Sequence, residues 1–336
     1  IEEERINREY EFLEDNGYIL ENVITKKGEL YLEDYKIDNA IILAAGMSTR
    51  FVPLNFEKPK ALLTVKGEVL IERQIKQLKE KGIHQIIIVV GYMKEKFEYL
   101  VNKYGVILIE NKDYRIRNNH SSVYVAREFL KRTIITSSDL YFTKNIFQKY
   151  AYDSYYTSIY VSGKTAERGV ILDENDKILK TMYGDKCYNI WITLGYAVFS
   201  KEFSKNFIDI LEHIYEKPET FNMFWADIQE YLSDLYMYIK RCENNIIYEF
   251  DSLEELRVFD NKYMYDSNCN IMQEICYLLA VNEYDIVNIE SLKQLKNTMF
   301  KFSCKNSIYI CDIRPDDIDK FSYLGNTYYQ IGDCSK

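Results

Sequence analysis

The apolar positions along the chain fall into runs of different period, and each run predicts an element. Ile6, Tyr10 and Leu13 recur at helical spacing and predict a short helix that Asn16-Gly17 ends. Tyr18-Ile19-Leu20 and Val23-Ile24 flank Glu21-Asn22 and predict a two-strand ribbon, after which Thr25-Lys26-Lys27-Gly28 leads into residues 30–35. Residues 40–45 form a continuous apolar run of strand length, and residues 85–90 form a second one, stopped by Gly91. Between them Val69, Ile71, Ile75 and Leu78 mark one face of a helix over 68–81, ended by Gly82. A helix over 94–102, a strand over 105–110, a helix over 121–130 and a strand over 133–136, closing near Asp139, continue the alternation. Near-uniformly apolar strands alternating with helices predict an α/β fold with a doubly wound, mostly parallel sheet. Ligands in such sheets bind at the carboxyl ends of the strands, so functional residues are expected just after strands one, two and four.

From about residue 151 to 260 the pattern becomes mixed. Residues 156–161, 170–173, 194–199 and 234–241 read as strands, and 201–215 and 222–232 as helices, predicting an antiparallel extension that completes one side of the pocket. Residues 266–336 read as a separate small α+β module, with a helix over 270–280, a turn, and strands over 299–302 and 307–311. The expected division is therefore 1–38, 39–265 and 266–336.

Composition narrows the class. With 47% hydrophobic and 28% charged residues, the 336-residue chain is globular and long enough for about two domains. Lys+Arg 43 against Asp+Glu 52 leaves a net charge of −9, without the basic footprint of a nucleic-acid binder or of a protein docking on anionic membranes. No apolar run approaches the ~20 residues of a membrane span. The acidic opening Ile1-Glu2-Glu3-Glu4 does not read as a secretory leader, and a start at Ile1 reads as the interior of a longer natural chain. Cys187, Cys242, Cys269, Cys276, Cys304, Cys311 and Cys334 form no C-x-x-C pair, which favours reduced thiols in the cytoplasm over a zinc site or a disulfide framework.

The chemistry-bearing constellation is Leu43-Ala44-Ala45-Gly46-Met47-Ser48-Thr49-Arg50-Phe51 followed by Glu57-Lys58-Pro59-Lys60-Ala61-Leu62. A glycine turn after a buried strand lets backbone N–H groups approach a triphosphate, because no Cβ intervenes. Arg50 can clamp phosphate oxygens bidentately, and Lys60 adds a point charge near the other reactant. Alone, G-x-S-x-R reads equally as an ordinary strand-to-helix turn; joined to the downstream K-P-K it becomes specific.

These motifs resemble the sugar-nucleotidyltransferase superfamily and, within it, the bacterial phosphocholine cytidylyltransferases. The resemblance runs through residues 39–257, including "PKALLTVKGEVLIERQIKQLKEKGI", "IIIVVGYMKEKFEYL" and "NNHSSVYVAREFL". It implies activation of phosphocholine with CTP, releasing pyrophosphate, for decoration of surface polymers. It also implies Mg²⁺ held by Asp139 and Asp251, with Arg50 and Lys60 completing the catalytic set. Read as residues alone, Asp139 is equally a turn former and Asp251 the N-cap of a helix over 253–258. The resemblance assigns the nucleotide to residues 43–50, Gly91 and Tyr92, and the segment containing Asn119 and Ser121; Ser121 reads equally as a helix cap. His120 stays outside the catalytic set, because an ionised phosphate acceptor is itself a nucleophile.

The acceptor pocket departs from the family. Where phosphocholine enzymes carry a Glu-Trp step this chain has Glu167-Arg168, and after Trp225 one carboxylate position has become Ala226, followed by Asp227. Trimethylammonium is held by aromatic faces and carboxylates, so Arg168, Tyr188, Trp191, Tyr196, Trp225 and Glu249 are the expected acceptor residues. Phosphocholine is the first expected acceptor, with phosphoethanolamine, 2-aminoethylphosphonate or a sugar or polyol phosphate as alternatives. A nucleotide-sensing regulatory protein is the alternative of another class. It is suggested by an N-terminal segment resembling the tail of a winged helix, without its recognition helix, and by a C-terminal segment resembling the start of a choline-kinase N-lobe. Leu295–Phe300 would take the hairpin position of that lobe; the kinase catalytic loop never follows, so no kinase activity is expected.

Overall fold

The computed structural model describes residues 2–232, 235–292, 298–313 and 327–333. At the N-terminal end α1 (Glu2–Asp15), the ribbon β1 (Ile19–Leu20) and β2 (Val23–Ile24), and α2 (Lys26–Glu33) precede the main sheet. Then come β3 (Asn39–Ala44), the small hairpin β4 (Thr64–Val65) and β5 (Glu68–Val69), α3 (Leu70–Glu80), β6 (Ile86–Val90), α4 (Tyr99–Tyr104), β7 (Ile107–Glu110), α5 (His120–Val125) and β8 (Thr133–Ser137). The second half carries β9 (Leu140–Phe142), β10 (Tyr155–Lys164), β11 (Gly169–Leu172), β12 (Ile178–Met182), β13 (Tyr188–Phe199), α6 (Lys201–Ile214), β14 (Tyr238–Arg241) and β15 (Ile247–Glu249). The chain continues through α7 (Leu253–Phe259), α8 (Lys262–Tyr265), α9 (Asn270–Leu279) and the strands β16 (Ile286–Ser291), β17 (Met299–Cys304), β18 (Ser307–Asp312) and β19 (Thr327–Asp333).

The main sheet runs β12-β11-β13-β8-β3-β6-β7, with β10 pairing β13 and β14. Its β8-β3-β6-β7 half is parallel, and β13 joins β8 antiparallel, so the expected α/β sheet with an antiparallel extension is what forms. Alternation along the buried strands explains why both faces are covered. Ala40, Ile42, Ile86 and Ile88 pack on the side of α3, with Ile71, Ile75 and Leu78. Ile41, Leu43, Ile87 and Val89 pack on the other side, with Val123 of α5 and Phe203, Phe207 and Leu211 of α6.

Several expected elements come out differently. The helix expected over 121–130 is α5 followed by a 3₁₀ turn at Arg127–Phe129, and that over 94–102 is a 3₁₀ turn at Lys94–Phe97 followed by α4. The helix expected over 222–232 is a 3₁₀ stretch, Trp225–Tyr231, whose first turn is tightened by Asp227 accepting the Phe224 N–H at 3.0 Å. The strand expected over 194–199 extends back to Tyr188. Strands β9, β12 and β15 are too short or too polar to stand out in the sequence. The predicted strand start at Asp234, the positions Leu295–Asn297 and Cys334 lie outside the described residues.

The expectation that residues from 266 onward stand apart is corrected by a third core. Phe51, Val52, Leu54, Phe56, Leu63 and Val65, all from the loop between β3 and β5, pack with Ile271, Ile275, Ile286, Phe300, Phe302 and Ile313. Ala61 and Leu62 of that loop pack in the core under the sheet, and the C-terminal segment supplies the surface that buries the others. Among the described residues no helix is long and apolar enough to cross a membrane.

Candidate active site

The carboxyl end of β3 releases the chain into Ala45-Gly46-Met47-Ser48, where Ser48 takes a left-handed conformation (φ 49°) that turns it into a 3₁₀ helix, Thr49–Phe51. The backbone N–H groups of Gly46, Met47 and Ser48 make no hydrogen bond among the described residues, so this turn offers donors to an anion. It is propped from beneath: Asn55 Nδ2 donates to the Met47 carbonyl (3.2 Å), and the Tyr92 hydroxyl donates to the Asn55 carbonyl (2.9 Å). The Tyr92 N–H donates to the Ala45 carbonyl (3.2 Å).

A cavity of about 170 Å³ opens at this turn, lined by Leu43, Ala44, Ala45, Gly46, Ser48, Pro59, Lys60, Ala61, Asn119, Ser122, Ser137, Ser138 and Asp139. An adjoining hollow shares Gly46, Ser48, Lys60 and Asp139 and adds Thr49, Arg50, Phe51 and Asp251. The carboxyl ends of β3 and β8 and the start of α5 therefore meet at one place, as the sheet topology demands.

At the junction of the two hollows lies the charged cluster. Lys60, whose side chain is 8% exposed, places Nζ 2.9 Å from Asp139 Oδ2 and 3.8 Å from Asp251 Oδ1, over the ring of Phe51. Arg50 is 72% exposed and reaches across to donate from Nη2 to Asp251 Oδ1 at 2.7 Å. Asp251 is free for these contacts because Ser252, not Asp251, caps α7, its side chain accepting the Glu255 N–H. Asp139 Oδ1 is buried without a hydrogen-bond partner, in the polar mouth beside Asp251. A carboxylate oxygen left bare in a cleft of carboxylates is what a divalent cation would satisfy, so the residues present fit such an ion. Nucleotidyltransferases of this kind generally use a divalent metal.

Further carboxylates crowd the mouth. Glu249, at the end of β15, keeps surface open to solvent, yet its carboxyl is pushed up to about 8. Loss of hydration among its neighbours is the larger cause and the charge of Asp139 comes next; Asp251 and Glu167 add to it, against the pull of Lys60. Glu167 is likewise raised, by loss of hydration and then by Asp251, against Arg50. Its position beside Arg50 and Asp251 depends on how β11 docks on β13.

The structure gathers the expected nucleotide residues unevenly. Leu43, Ala44, Ala45, Gly46, Ser48, Thr49, Arg50 and Asn119 line the two hollows. Met47 faces its supporting asparagine through its carbonyl. Gly91 and Tyr92 support the turn and do not line the cavity: a Cβ on Gly91 would stand 2.9 Å from both the Ala45 carbonyl and the Tyr114 ring. Ser121 is buried, its hydroxyl donating to the Asn118 carbonyl at 2.7 Å, and Ser122 takes the cavity position instead. Ser137 and Ser138 were missed, although the rule about strand ends pointed to them. His120 is buried with Nδ1 2.8 Å from the Met223 carbonyl, outside the residues that line the two hollows, and burial lowers its pKa.

The expected acceptor residues are not brought together as a cage. Tyr196, 1% exposed, is packed edge-on against Phe142 and Phe147, and Trp225, 3% exposed, between Tyr156 and Phe199. Trp191 meets Tyr160 and lies under the guanidinium of Arg241, while Tyr188 is exposed at the start of β13. Arg168 is buried in the wall, donating to the Ala226 carbonyl (2.9 Å) and Thr193 Oγ1 (3.3 Å), with Asp227 Oδ1 at 3.8 Å and the Tyr156 ring beneath it. Asp227 is thus the carboxylate that faces this guanidinium.

Comparison with known proteins agrees with this geometry. Residues 40–170 match the MobA-like NTP transferase domain. The chain is 36% identical to the choline-phosphate cytidylyltransferase of Streptococcus pneumoniae over 219 residues, 65% of this chain and 95% of that protein. It is 35% identical to the 2-aminoethylphosphonate cytidylyltransferase of Lancefieldella rimae over 232 residues, 68% of this chain and 94% of that protein. The solved CTP:phosphocholine cytidylyltransferase of Streptococcus pneumoniae superposes with a TM-score of 0.64 at 35% identity, covering 67% of this chain and 98% of that one.

Two glycines of the site separate by substitution. The Cβ of Gly46→Ala meets nothing within 4 Å, so the variant should fold normally while the methyl in the cradle raises the KM for CTP roughly tenfold. Gly91→Ala should instead lower stability by roughly 1–3 kcal/mol through overpacking. Chemical denaturation and steady-state kinetics on both variants distinguish the roles, and a normal KM in Gly46→Ala contradicts the cradle.

The raised carboxyl of Glu249 has a pH signature. Between the unfolded value near 4.5 and the folded value of about 8 the folded state holds the extra proton, so its contribution to stability falls as pH rises through that window. Glu249→Gln should melt above the wild type by a margin that grows from pH 5 to pH 9. Parallel melting curves across that range would remove the charge crowding inferred for the cleft mouth.

Proposed function

The chain belongs to the family of bacterial choline-phosphate cytidylyltransferases, and from that premise we propose that it transfers CMP from CTP to the phosphate of phosphocholine with Mg²⁺ as cofactor. An anionic oxygen of the acceptor phosphate forms the new bond to the α-phosphorus of CTP, the bond from that phosphorus to the β-phosphate oxygen breaks, and pyrophosphate leaves with the electron pair. The observation that carries the reading is Lys60 held between Asp139 and Asp251 at the glycine turn. A cation at that point lies where two phosphates must approach each other, and it neutralises charge that grows in the transition state. The exposed Arg50 is assigned to the triphosphate, which it reaches by exchanging Asp251 for phosphate oxygens. Asn119 is assigned to the base. Its Oδ1 is taken by the Trp225 N–H at 2.9 Å, which leaves the amide N–H₂ as the donor toward the cavity.

Asp139 and Asp251 are the residues that would hold the magnesium ion, supported by the partnerless Oδ1 of Asp139. When bound, the ion supplies charge neutralisation on phosphate oxygens. The reduced thiols among the described residues, Cys187, Cys242, Cys269, Cys276 and Cys304 among them, support a cytoplasmic setting.

A second acceptor, 2-aminoethylphosphonate, is favoured by a specific observation. Arg168 stands in the wall where the resemblance expects a cage tryptophan, and Trp225 and Tyr196 are sealed in the core. A small primary ammonium can be held by carboxylates alone, and Glu167 and Glu249 are available on this side of the cleft.

Pyrophosphate release measured with each of the four NTPs crossed with phosphocholine, phosphoethanolamine and 2-aminoethylphosphonate tests the assignment. CTP is expected to be the nucleotide used, with kcat/KM for phosphocholine at least about tenfold above the other acceptors. The reverse order transfers the assignment to the phosphonate, and no release with any pairing overturns it. Within the site, Lys60→Ala should lower kcat by about a hundredfold or more with little change in the KM for CTP. Arg50→Ala should raise that KM as well, and Asp139→Asn and Asp251→Asn should abolish turnover at any Mg²⁺ concentration while keeping the wild-type circular dichroism spectrum. Identical kinetic profiles for the Lys60 and Arg50 variants would contradict the division of labour.

A further inference from the structure

We infer that Glu57 is a positioning residue for Lys60, through which the C-terminal segment sets the geometry of the catalytic cation; the inference rests on the role assigned to Lys60 above. Glu57 opens the Glu57-Lys58-Pro59-Lys60 turn, but its side chain points away from the cleft, to the start of α9. There Oε1 accepts the Ile271 N–H (2.8 Å), and Oε2 accepts the Asn270 N–H (3.0 Å) and Asn270 Nδ2 (3.1 Å). The carboxylate thus serves as the N-terminal cap that α9 lacks in its own sequence, since Cys269 at the N-cap position makes no capping bond.

Between this anchor and Lys60 the chain has little freedom. The Glu57 carbonyl is held by Lys96 Nζ at 2.6 Å, and the Lys58 N–H donates to the Leu54 carbonyl at 3.0 Å. Pro59 fixes its own φ, at −56°, and its carbonyl accepts the Leu62 N–H at 2.9 Å. A shift of Glu57 toward or away from α9 is therefore transmitted to the Lys60 backbone, and the ammonium moves relative to Asp139 and Asp251. The portion of this chain aligned with the choline-phosphate and the 2-aminoethylphosphonate cytidylyltransferases spans 94–95% of those relatives while occupying only 65–68% of its own length. A C-terminal segment tied to the catalytic turn by one carboxylate is thus an addition with a direct line to the reaction.

The test is a kinetic double-mutant cycle on the full chain with CTP and the acceptor of highest turnover. Glu57→Ala should lower kcat by about tenfold or more with the KM for CTP within about twofold, because a small misplacement of a catalytic group falls on the transition state. Glu57→Gln, which keeps an acceptor oxygen for α9, should recover most of that loss. In the Lys60→Ala background, Glu57→Ala should cost nothing further. Asp260→Asn is the control. Asp260 ties the same segment to the Lys66 N–H at 2.7 Å without touching the catalytic turn, so its variant should melt earlier with unchanged kcat. Wild-type kcat in Glu57→Ala overturns the inference, as does wild-type kcat in Glu57→Asp, whose shorter arm must shift the turn to reach α9, if the alanine variant does not fold; additive losses with Lys60→Ala or an equal loss in Asp260→Asn overturn it too. If Lys60→Ala itself keeps full activity, the failure lies with the role given to Lys60.

Discussion

The ammonium of Lys60 is the contact on which the arrangement of the cleft depends. Taking a lysine out of water is costly unless opposite charge meets it, and here two carboxylates from distant parts of the chain do so. The converse holds equally. Without Lys60 and Arg50, Asp139 and Asp251 would face each other and the raised carboxyls of Glu249 and Glu167 with no compensation. The cluster is thus a balance of charge: drawing either cation away leaves carboxylate oxygens bare.

The scaffold is arranged to hold that balance in place. β3 and β8 lie side by side in parallel, so the turn carrying Arg50 and the turn carrying Asp139 emerge at the same edge. Asp251 arrives from the opposite direction, at the end of β15, which pairs with β9 immediately after the Asp139 turn. The loop carrying Lys60 is too apolar to lie on the surface, and its Phe51, Leu54, Phe56 and Leu63 require a core of their own. The C-terminal segment provides one. What reads along the sequence as a charged motif in a loop is, in three dimensions, the seam between two cores.

Much of this was legible in the sequence, for physical reasons. Uniformly apolar strands alternating with helices gave the sheet, and the Gly46 turn with the downstream Lys60 marked the place where the hollows open at the strand ends, because both depend on local pattern and on a topology with few alternatives. The acceptor side was not legible. Tyr196 and Trp225 were picked as cage residues by chemical type, yet each sits on the buried side of its element, and side-chain direction over an antiparallel extension depends on register that no local signal fixes. Ser121 and Ser122 show the same point at the scale of one residue: both hydroxyls are plausible ligands in sequence, and only the start of α5 at His120 decides which of them meets the cavity.

The departure at Arg168 shows how a sequence difference and its consequence can part company. A guanidinium in place of a tryptophan suggests a cation pressed against the acceptor, which a quaternary ammonium would not tolerate. In the folded chain that charge is directed elsewhere: Ala226, Thr193 and Asp227 engage it within the wall, and the ring of Tyr156 underlies it. What remains open on this side is the pair of carboxylates, Glu167 and Glu249, whose pKa values are raised by lost hydration first and then by the charges of Asp251 and Asp139. Such a surface is relieved by any positively charged headgroup, methylated or not. On the function proposed above, selectivity between acceptors rests on the space left beside the carboxylates and on whether the headgroup's hydration must be replaced by hydrogen bonds. A primary ammonium carries three donors that carboxylates can accept, whereas a trimethylammonium carries none and gains only from charge and contact.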